Sequence, residues 1–380
     1  MSTPRPEQGG SASRGLGRIL LVVEQLRQKV PGGIGTVAAE LARALGQASD
    51  PAVRLRVFLF ASAPPVGPDP LSEFGLGVVV SAAPTAIVGR LWDLGLARLK
   101  RQVDLVHATS FQVPPSSAPL VLTVHDLAWR TVPEAYSAHG RRWHEAALRR
   151  FAARAADFVV PSQTVADELV GAGLGIAAER VSIIEWGADH LPSEDVEQTD
   201  ELLDRLGVHG EFLLSVGTLE PRKNLERLVA GYGLAREQMS RPVPLIVAGP
   251  NGWGRRPPPG PGVVLAGHVA PGVLAGLYRR ARALAYVPIV EGFGFPVVEA
   301  MWAGTPVLAS NVPSSHGAAA LVDPTDVHQI AAGIVSVLTD ERRRGELREA
   351  GSERVKHLTW SATAASHVEL WRSITERTSR

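Results

Sequence analysis

Three groups of side chains in this sequence have the types and spacing to do chemistry. The first is Glu291-Gly292-Phe293-Gly294-Phe295-Pro296-Val297-Val298-Glu299, in which two carboxylates bracket a glycine-rich turn. Glycines let a backbone approach a ligand closely, and Pro296 suits the first turn of a helix whose free amides would face a phosphate. Glu299, about one turn into that helix, can look back toward the same opening. Together they suit a ligand with several hydroxyls and a negatively charged segment. The same residues also fit a plainer role, with Glu291 capping the turn and Glu299 solvated.

The second group is Gly217-Thr218-Leu219-Glu220-Pro221-Arg222-Lys223-Asn224, which follows the apolar run Phe212 to Val216. Ligands of open parallel sheets gather beyond the carboxyl ends of the strands, and this strand delivers two adjacent cations there. Arg222 can fork onto phosphate oxygens and Lys223 supplies a mobile point charge, so the pair could neutralise a departing diphosphate without a metal. A solvated Arg-Lys pair opening a helix is the alternative. The third group is Val124-His125-Asp126 at the end of another apolar run. Its imidazole could donate a hydrogen bond to a sugar hydroxyl or to charge developing at a reacting carbon, or serve structure alone, with Asp126 orienting it or capping the next turn. For His107, similarly placed, packing is the better explanation.

Other chemistries find no support. Pro31-Gly32-Gly33-Ile34-Gly35-Thr36 is glycine-rich but does not match a dinucleotide loop, although close backbone approach to a substrate fits it. There is no GxxxxGK[ST] phosphate loop, no HExxH and no GxSxG. The absence of cysteine excludes disulfides, thiolate metal sites and a cysteine nucleophile, and fits a reducing compartment. With 39 Lys and Arg against 38 Asp and Glu, the chain is too near neutral to act as a polycation, so no nucleic-acid partner is expected.

These groups need a scaffold that holds strand ends opposite one another. The 380 residues, 45% hydrophobic, suffice for roughly two domains of about 150 residues each. Short apolar runs alternate with loops and helical periodicity, the pattern of parallel strands covered on both faces. Strands are expected near 19–23, 55–60, 78–80, 105–107, 120–124, 158–160 and 181–184, then near 212–216, 245–248, 263–265, 283–287, 307–309 and 321–322. Residues 1–17 read as a disordered tail, 18–190 as a first Rossmann-like domain, and the acidic segment 191–200 as a linker. Residues 201–358 form a second such domain and 359–380 a terminal helix. Gly140 to Arg154 reads as a basic helix with a Trp143, Ala147, Phe151 stripe, fitting either a surface helix or a membrane-interfacial one, and Arg90 to Arg101 reads likewise. No run approaches the length that spans a bilayer.

The motifs Gly217 to Asn224, Glu291 through Glu299, and Ala303-Gly304-Thr305-Pro306-Val307 resemble those of the GT-B glycosyltransferases, specifically the retaining family 4. Val124-His125-Asp126 and Gly32-Gly33-Ile34-Gly35 sit where that family has its first-domain segments. The resemblance implies two doubly wound Rossmann-like domains facing across a cleft, with the C-terminal helix crossing back to the first. It implies a nucleotide-diphosphate sugar held by the second domain. Arg222 and Lys223 would stabilise the leaving diphosphate, Glu299 would bind the ribose, and His268 and Val269 would read the base. Glu291 with Gly292, Phe293, Gly294 and Phe295 would hold the transferred sugar, with His125 contacting it across the cleft and Gly33 lying close by. Retention with assistance from the leaving phosphate needs no side-chain base, no metal and no further cofactor. One departure is visible: after Ser315 the chain reaches Leu321 through a segment shorter than in relatives and lacking their Pro-Glu pair.

The second motif looks most like mannosyl- and rhamnosyltransferase-like members, so GDP-mannose is the first expected donor and UDP-sugars the next. The acceptor would be a saccharide, a lipid-linked saccharide or a small molecule. The expected location is cytoplasmic, with peripheral contact on the inner membrane face for a lipid-linked acceptor. Two rival readings keep the fold: a sugar-nucleotide epimerase or hydrolase, and a catalytically silent sugar-nucleotide-binding protein.

Overall fold

A computed structural model describes residues 16–28, 32–64, 69–99, 101–252 and 260–378. The first lobe holds β1 (Ile19–Val22), β2 (Val57–Ala63), β3 (Gly77–Pro84), β4 (Leu105–Ala108), β5 (Leu120–Thr123), β6 (Asp157–Val160) and β7 (Val181–Ile183), ordered β3-β2-β1-β4-β5-β6-β7. The second holds β8 (Leu213–Val216), β9 (Leu245–Ala248), β10 (Val263–Gly267), β11 (Ala283–Tyr286), β12 (Val307–Ala309) and β13 (Ala320–Leu321), ordered β10-β9-β8-β11-β12-β13. Their pairings are parallel. Both sheets therefore start in the middle, run to one edge and cross back. This is the doubly wound order, with a topological switch point between β1 and β4 and another between β8 and β11.

The helices covering the first sheet are α1 (Gly32–Gly46), α2 (Pro51–Arg56), α3 (Thr85–Asp93), α4 (Ala128–Thr131), α5 (Ala138–Ala152) and α6 (Gln163–Val170). Those that follow are α7 (Val196–Arg205), α8 (Leu225–Glu237), α9 (Pro271–Arg280), α10 (Phe295–Trp302), α11 (Val327–Thr339), α12 (Glu341–Val355) and α13 (Trp360–Thr378). Central strands such as β1, β4, β5 and β9 are buried throughout, as expected where helices cover both faces.

Three expectations need correcting, and the glycine-rich segment finds its place. The strand expected from residue 55 begins at Val57, because Asp50 caps and Pro51 opens α2, which runs to Arg56. The acidic segment 191–200 is not linker throughout: Asp195 caps α7, whose Thr199, Leu202 and Leu203 are buried. The glycine-rich stretch from Gly32 is the first turn of α1, whereas Pro31 lies outside the described residues. Of the expected tail, residues 1–15 also lie outside them, but Leu16 is buried in the core beneath β1.

α13 ties the chain back to its first half. It packs on α1, Trp371 Nε1–H donates to His107 Nδ1 (3.0 Å), and Arg377 donates to Asp157 (2.8 Å). α5 buries Ala147, Leu148 and Phe151 as a surface helix does. Its Arg141, Arg142 and Arg149 line an open groove of about 600 Å³ with Trp129 and Pro133. Among the described residues no helix is long and apolar enough to cross a membrane.

Candidate active site

The switch point of the second sheet brings the two strongest sequence motifs together. β8 ends in a tight 3-10 turn over Pro221–Lys223, and the chain after β11 runs to Glu291. One backbone bond and one side-chain amide join these segments. Ile289 N–H donates to Arg222 O (2.9 Å), and Asn224 Nδ2 donates to Val287 O (3.0 Å) and Pro324 O (2.7 Å). Asn224 has φ +59, a left-handed conformation that asparagine tolerates better than most residues. Its position in the motif is thus explained by the turn it closes.

With the backbones fixed, the side chains converge. Arg222 Nη1 lies 2.7 Å from Glu291 Oε1, and Arg222 Nε lies 2.9 Å from Glu220 Oε1. Lys223 Nζ donates to Glu291 Oε2 (2.5 Å) and to the Tyr286 hydroxyl (2.7 Å), which itself donates to Glu291. Burial pushes the Glu291 carboxyl up, but Lys223 and Arg222 outweigh it and hold it well below the usual carboxylate range. Glu220 moves the other way, because its burial outweighs the same two cations. Neither Glu220 nor Tyr286 was singled out in sequence. Glu220 lay inside a quoted motif, and Tyr286 ends the strand before the other.

The loop from Glu291 to Phe295 turns out to be an interlobe contact. Ser162 Oγ donates to Gly292 O (2.8 Å), and a Cβ at Gly292 would sit 1.9 Å from His125 O. Gly292 therefore admits the backbone of the other lobe, rather than the ligand its type suggested. Gly294, with φ +98, turns the chain into α10, whose start no side chain caps. Phe293 is buried against Trp186 (6.5 Å between ring centroids), and Phe295 stacks on Trp360 (6.2 Å). A Cβ at Gly33 would lie 3.7 Å from the Phe295 ring, so the glycine turn of the first lobe faces the loop of the second. The shortened segment supports this loop from behind: Ser314 N–H donates to Phe293 O (3.1 Å) and its Oγ to Gly294 O (3.1 Å).

Glu299 does not stand open on α10. It is buried, with Oε1 accepting from His190 Nε2 (2.9 Å) and Oε2 from the Tyr278 hydroxyl (2.7 Å). His190 Nδ1 accepts from Trp360 Nε1–H (3.3 Å). Burial lowers the His190 pKa, but its bond to Glu299 and that carboxylate's charge outweigh this, so the net shift is upward. No pattern in the sequence marked His190 or Tyr278. His268 and Val269 follow β10 at the same sheet edge as the cation pair, with His268 exposed and Val269 packed on the core.

Across the seam, His125 Nε2 lies 2.8 Å from Thr109 O, a pure acceptor, so this nitrogen carries the proton. Burial lowers the pKa and favours the neutral ring. The donor role expected for the imidazole is therefore already used within the lobe, and Nδ1 remains as an acceptor. Asp126 accepts from Ala128 N–H (3.0 Å), capping the next turn. Behind His125 the rings of Trp186 (5.9 Å), His367 and His107 follow one another, with His367 6.0 Å from Trp186 and 5.3 Å from His107. His107 is fully buried, bonded to Thr123 Oγ1 (2.8 Å) and Trp371, which is the packing role expected of it.

Comparison with known proteins places the fold and the family. Residues 31–190 match the family model described as Glycosyltransferase Family 4, and residues 205–354 match that described as Glycosyl transferases group 1. Over 282 residues the chain is 28% identical to the O-antigen chain mannosyltransferase B of Escherichia coli, covering 70% of this chain and 74% of that protein. It is 25% identical over 357 residues to the serotype-specific mannosyltransferase WbdA of Escherichia coli, covering 82% of this chain but 41% of that longer protein. Among solved structures, HepE of Anabaena in complex with UDP-glucose shares the fold with a TM-score of 0.63 at 17% identity, covering 95% of this chain and 99% of that one. Sucrose-phosphate synthase of Thermosynechococcus elongatus does so with a TM-score of 0.72 at 19% identity, covering 94% and 99%. With each lobe matched by its own family model and both sheets in doubly wound order, the chain belongs to glycosyltransferase family 4, a GT-B enzyme similar to its mannosyltransferases.

Proposed function

We propose that this glycosyltransferase is a retaining, metal-independent hexosyltransferase. It takes a hexose from a nucleotide-diphosphate sugar, with GDP-mannose the first choice and UDP-sugars the next, and passes it to a hydroxyl of a saccharide, lipid-linked or small-molecule acceptor. The observation that carries this reading is the convergence of Arg222 and Lys223 on Glu291 at the switch point of the second sheet. A leaving diphosphate develops charge as the glycosidic bond breaks, and two fixed cations with little exposure to water stabilise that charge without reorganising. The mannose assignment draws on the names of the Escherichia coli relatives, and UDP-sugars stay in view because HepE was solved with UDP-glucose.

The remaining roles are those the resemblance implies. Glu291 and the amides near Phe295 face the hexose, and Glu299, already oriented by His190 and Tyr278, receives the ribose hydroxyls. His268 and Val269 border the base, and Gly33 lies beside the donor loop. His125 accepts a hydrogen bond from the hexose at Nδ1, a positioning contact. The leaving phosphate oxygen takes the acceptor proton on the face it vacates, so neither a side-chain base nor a metal enters the scheme.

The test is a thermal-shift panel of GDP, UDP, ADP and TDP, followed by incubation with labelled GDP-mannose and UDP-glucose, with and without saccharide acceptors. A nucleoside diphosphate that binds the folded state raises its apparent stability. Acceptor-dependent transfer with retained anomeric configuration in the presence of a chelator is the expected result. An isomerised sugar without acceptor would make the protein an epimerase, stoichiometric free sugar a hydrolase, and binding without turnover a silent binding protein.

A further inference from the structure

The cation pair assigned to the donor is outnumbered by its own neighbours. Arg222 is shared between Glu220 at Nε (2.9 Å) and Glu291 at Nη1 (2.7 Å), and Lys223 is committed to Glu291 (2.5 Å) and Tyr286 (2.7 Å). Asp126 of the first lobe lies within electrostatic reach of Glu220 and Arg222. Ionised, this cluster holds three carboxylates against two cations. The Glu220 and Glu291 side chains are only 6% and 10% exposed. A diphosphate entering here adds negative charge where water screens poorly, which is strongly unfavourable unless a carboxylate gives up its own.

The geometry singles out which one. Glu291 is held by both cations and by the Tyr286 hydroxyl, so its charge is the best supported of the three. Asp126 belongs to the other lobe, where it already accepts a backbone N–H from Ala128. Among the described residues the Glu220 carboxylate has one ion-pair partner, Arg222 Nε, and that is the group a phosphate oxygen would compete for. The titratable groups facing Glu220 are Arg222, Lys223, Glu291, Asp126 and the phenols of Tyr136 and Tyr286. Burial pushes both phenols up, so they stay neutral and cannot take up the excess charge. Burial of Glu220 already moves its carboxyl upward.

We propose that Glu220 binds the donor as the neutral acid, taking one proton from solvent as the diphosphate enters and donating it in a hydrogen bond to a phosphate oxygen. This rests on the donor reading given above. It makes Glu220 a donor-binding residue whose contact exists only when its proton is present, and it makes donor affinity fall as pH rises.

Isothermal titration of the unmodified protein with GDP-mannose and with UDP-glucose, whose diphosphates do not titrate near neutrality, tests this in two buffers of equal pH and different ionisation heat. The expected result is an apparent enthalpy that changes with the buffer by an amount equivalent to an uptake approaching one proton. Affinity should weaken about tenfold per pH unit once the pH exceeds the free-state pKa of Glu220. Glu220→Gln, checked for unchanged thermal unfolding, should still bind but lose both the buffer dependence and the pH slope. Binding that is independent of buffer in the unmodified protein overturns the proposal while leaving the donor reading intact. Proton uptake persisting in Glu220→Gln overturns the assignment to this residue. If neither sugar nucleotide binds at any pH, the donor reading falls and this inference falls with it.

Discussion

The two lobes present the same sheet edge to each other, but they hold their site residues by opposite means. In the second lobe, Arg222, Lys223, Glu220 and Glu291 fix one another by charge. In the first, His125 is neutral, spends its N–H on a backbone carbonyl, and rests on the column Trp186, His367, His107. The difference suits what each would meet. A diphosphate needs cations held ready, whereas a hexose hydroxyl needs an acceptor whose orientation does not wander. Charge does the positioning where charge arrives, and packing does it elsewhere.

The packed side breaks most severely. Trp186 is 1% exposed and touches His125, His367 and Phe293, thereby joining both lobes and α13. Trp186→Ala should cost about 3–5 kcal/mol of unfolding free energy, read by denaturant titration. Trp186→Phe should cost less and keep more turnover. If the alanine variant is as stable as the parent, the column is not what supports His125.

The charged side should break more quietly in stability and more sharply in binding. Arg222→Ala removes the charge-assisted partner proposed for the diphosphate and should weaken nucleoside diphosphate binding by roughly 1.5–3 kcal/mol, with Lys223→Ala similar. His125→Ala should lower turnover more than donor affinity. Calorimetric affinities unchanged in both cation variants would remove the diphosphate from this end of the second sheet.

Acid separates the two sides in another way. His367 is fully buried, its Nδ1–H donates to Thr363 O (2.7 Å), and its Nε2 has no partner among the described residues. Burial lowers its pKa from 6.5 to about 4, and His107 is lowered well below 6.5 for the same reason. The unfolded chain therefore binds these protons more readily than the folded one. The stabilisation is complete above the unfolded value and is lost as pH falls from 6.5 toward 4. Between pH 7 and pH 5, His367 alone should account for a loss of about 2 kcal/mol. His367→Gln should flatten that part of the stability profile, and identical acid slopes in parent and variant would show that His367 does not drive it.

The contrast between lobes also governs how much could be read from the sequence. All the expected strands exist, because buried parallel strands are continuous apolar runs between punctuating loops. Misreadings occurred where a helix start hid in a polar or mixed segment. Leu55 read as the first residue of a strand but is 74% exposed on α2, and the buried stripe of α7 extends past Asp200, where the acidic segment was taken to end. The charged half of the site was legible since each motif is contiguous and ends a strand. The packed half was not: Ser162 meets Gly292 across 130 residues, and His107 meets Trp371 across 264. Single residues brought together by lobe docking and by the return of α13 leave no local pattern. Gly292 misled for a related reason, since a glycine that admits a backbone reads the same whether the visitor is a ligand or another lobe.

The anchoring of α13 gives the smallest and sharpest test of the contrast. Its surface carries an ion pair from Arg372 to Asp50 (2.8 Å), with both side chains nearly half exposed, while its buried face carries His367 and Trp371. An exposed pair gains little Coulomb energy in high dielectric and loses side-chain freedom, so its net worth is about 0.2–1 kcal/mol. Arg372→Ala should therefore lower stability by no more than that, and salt should shrink the effect further. Trp371→Phe, which keeps a ring but removes the donor to His107, should cost more, because it leaves His107 Nδ1 buried and unsatisfied. Denaturant titrations of the two variants at low and high ionic strength rank them directly. If the arginine variant proves the more damaging, and high salt narrows its deficit relative to the parent, then α13 is held by its surface charges and the first lobe is not the packing-dominated partner described above.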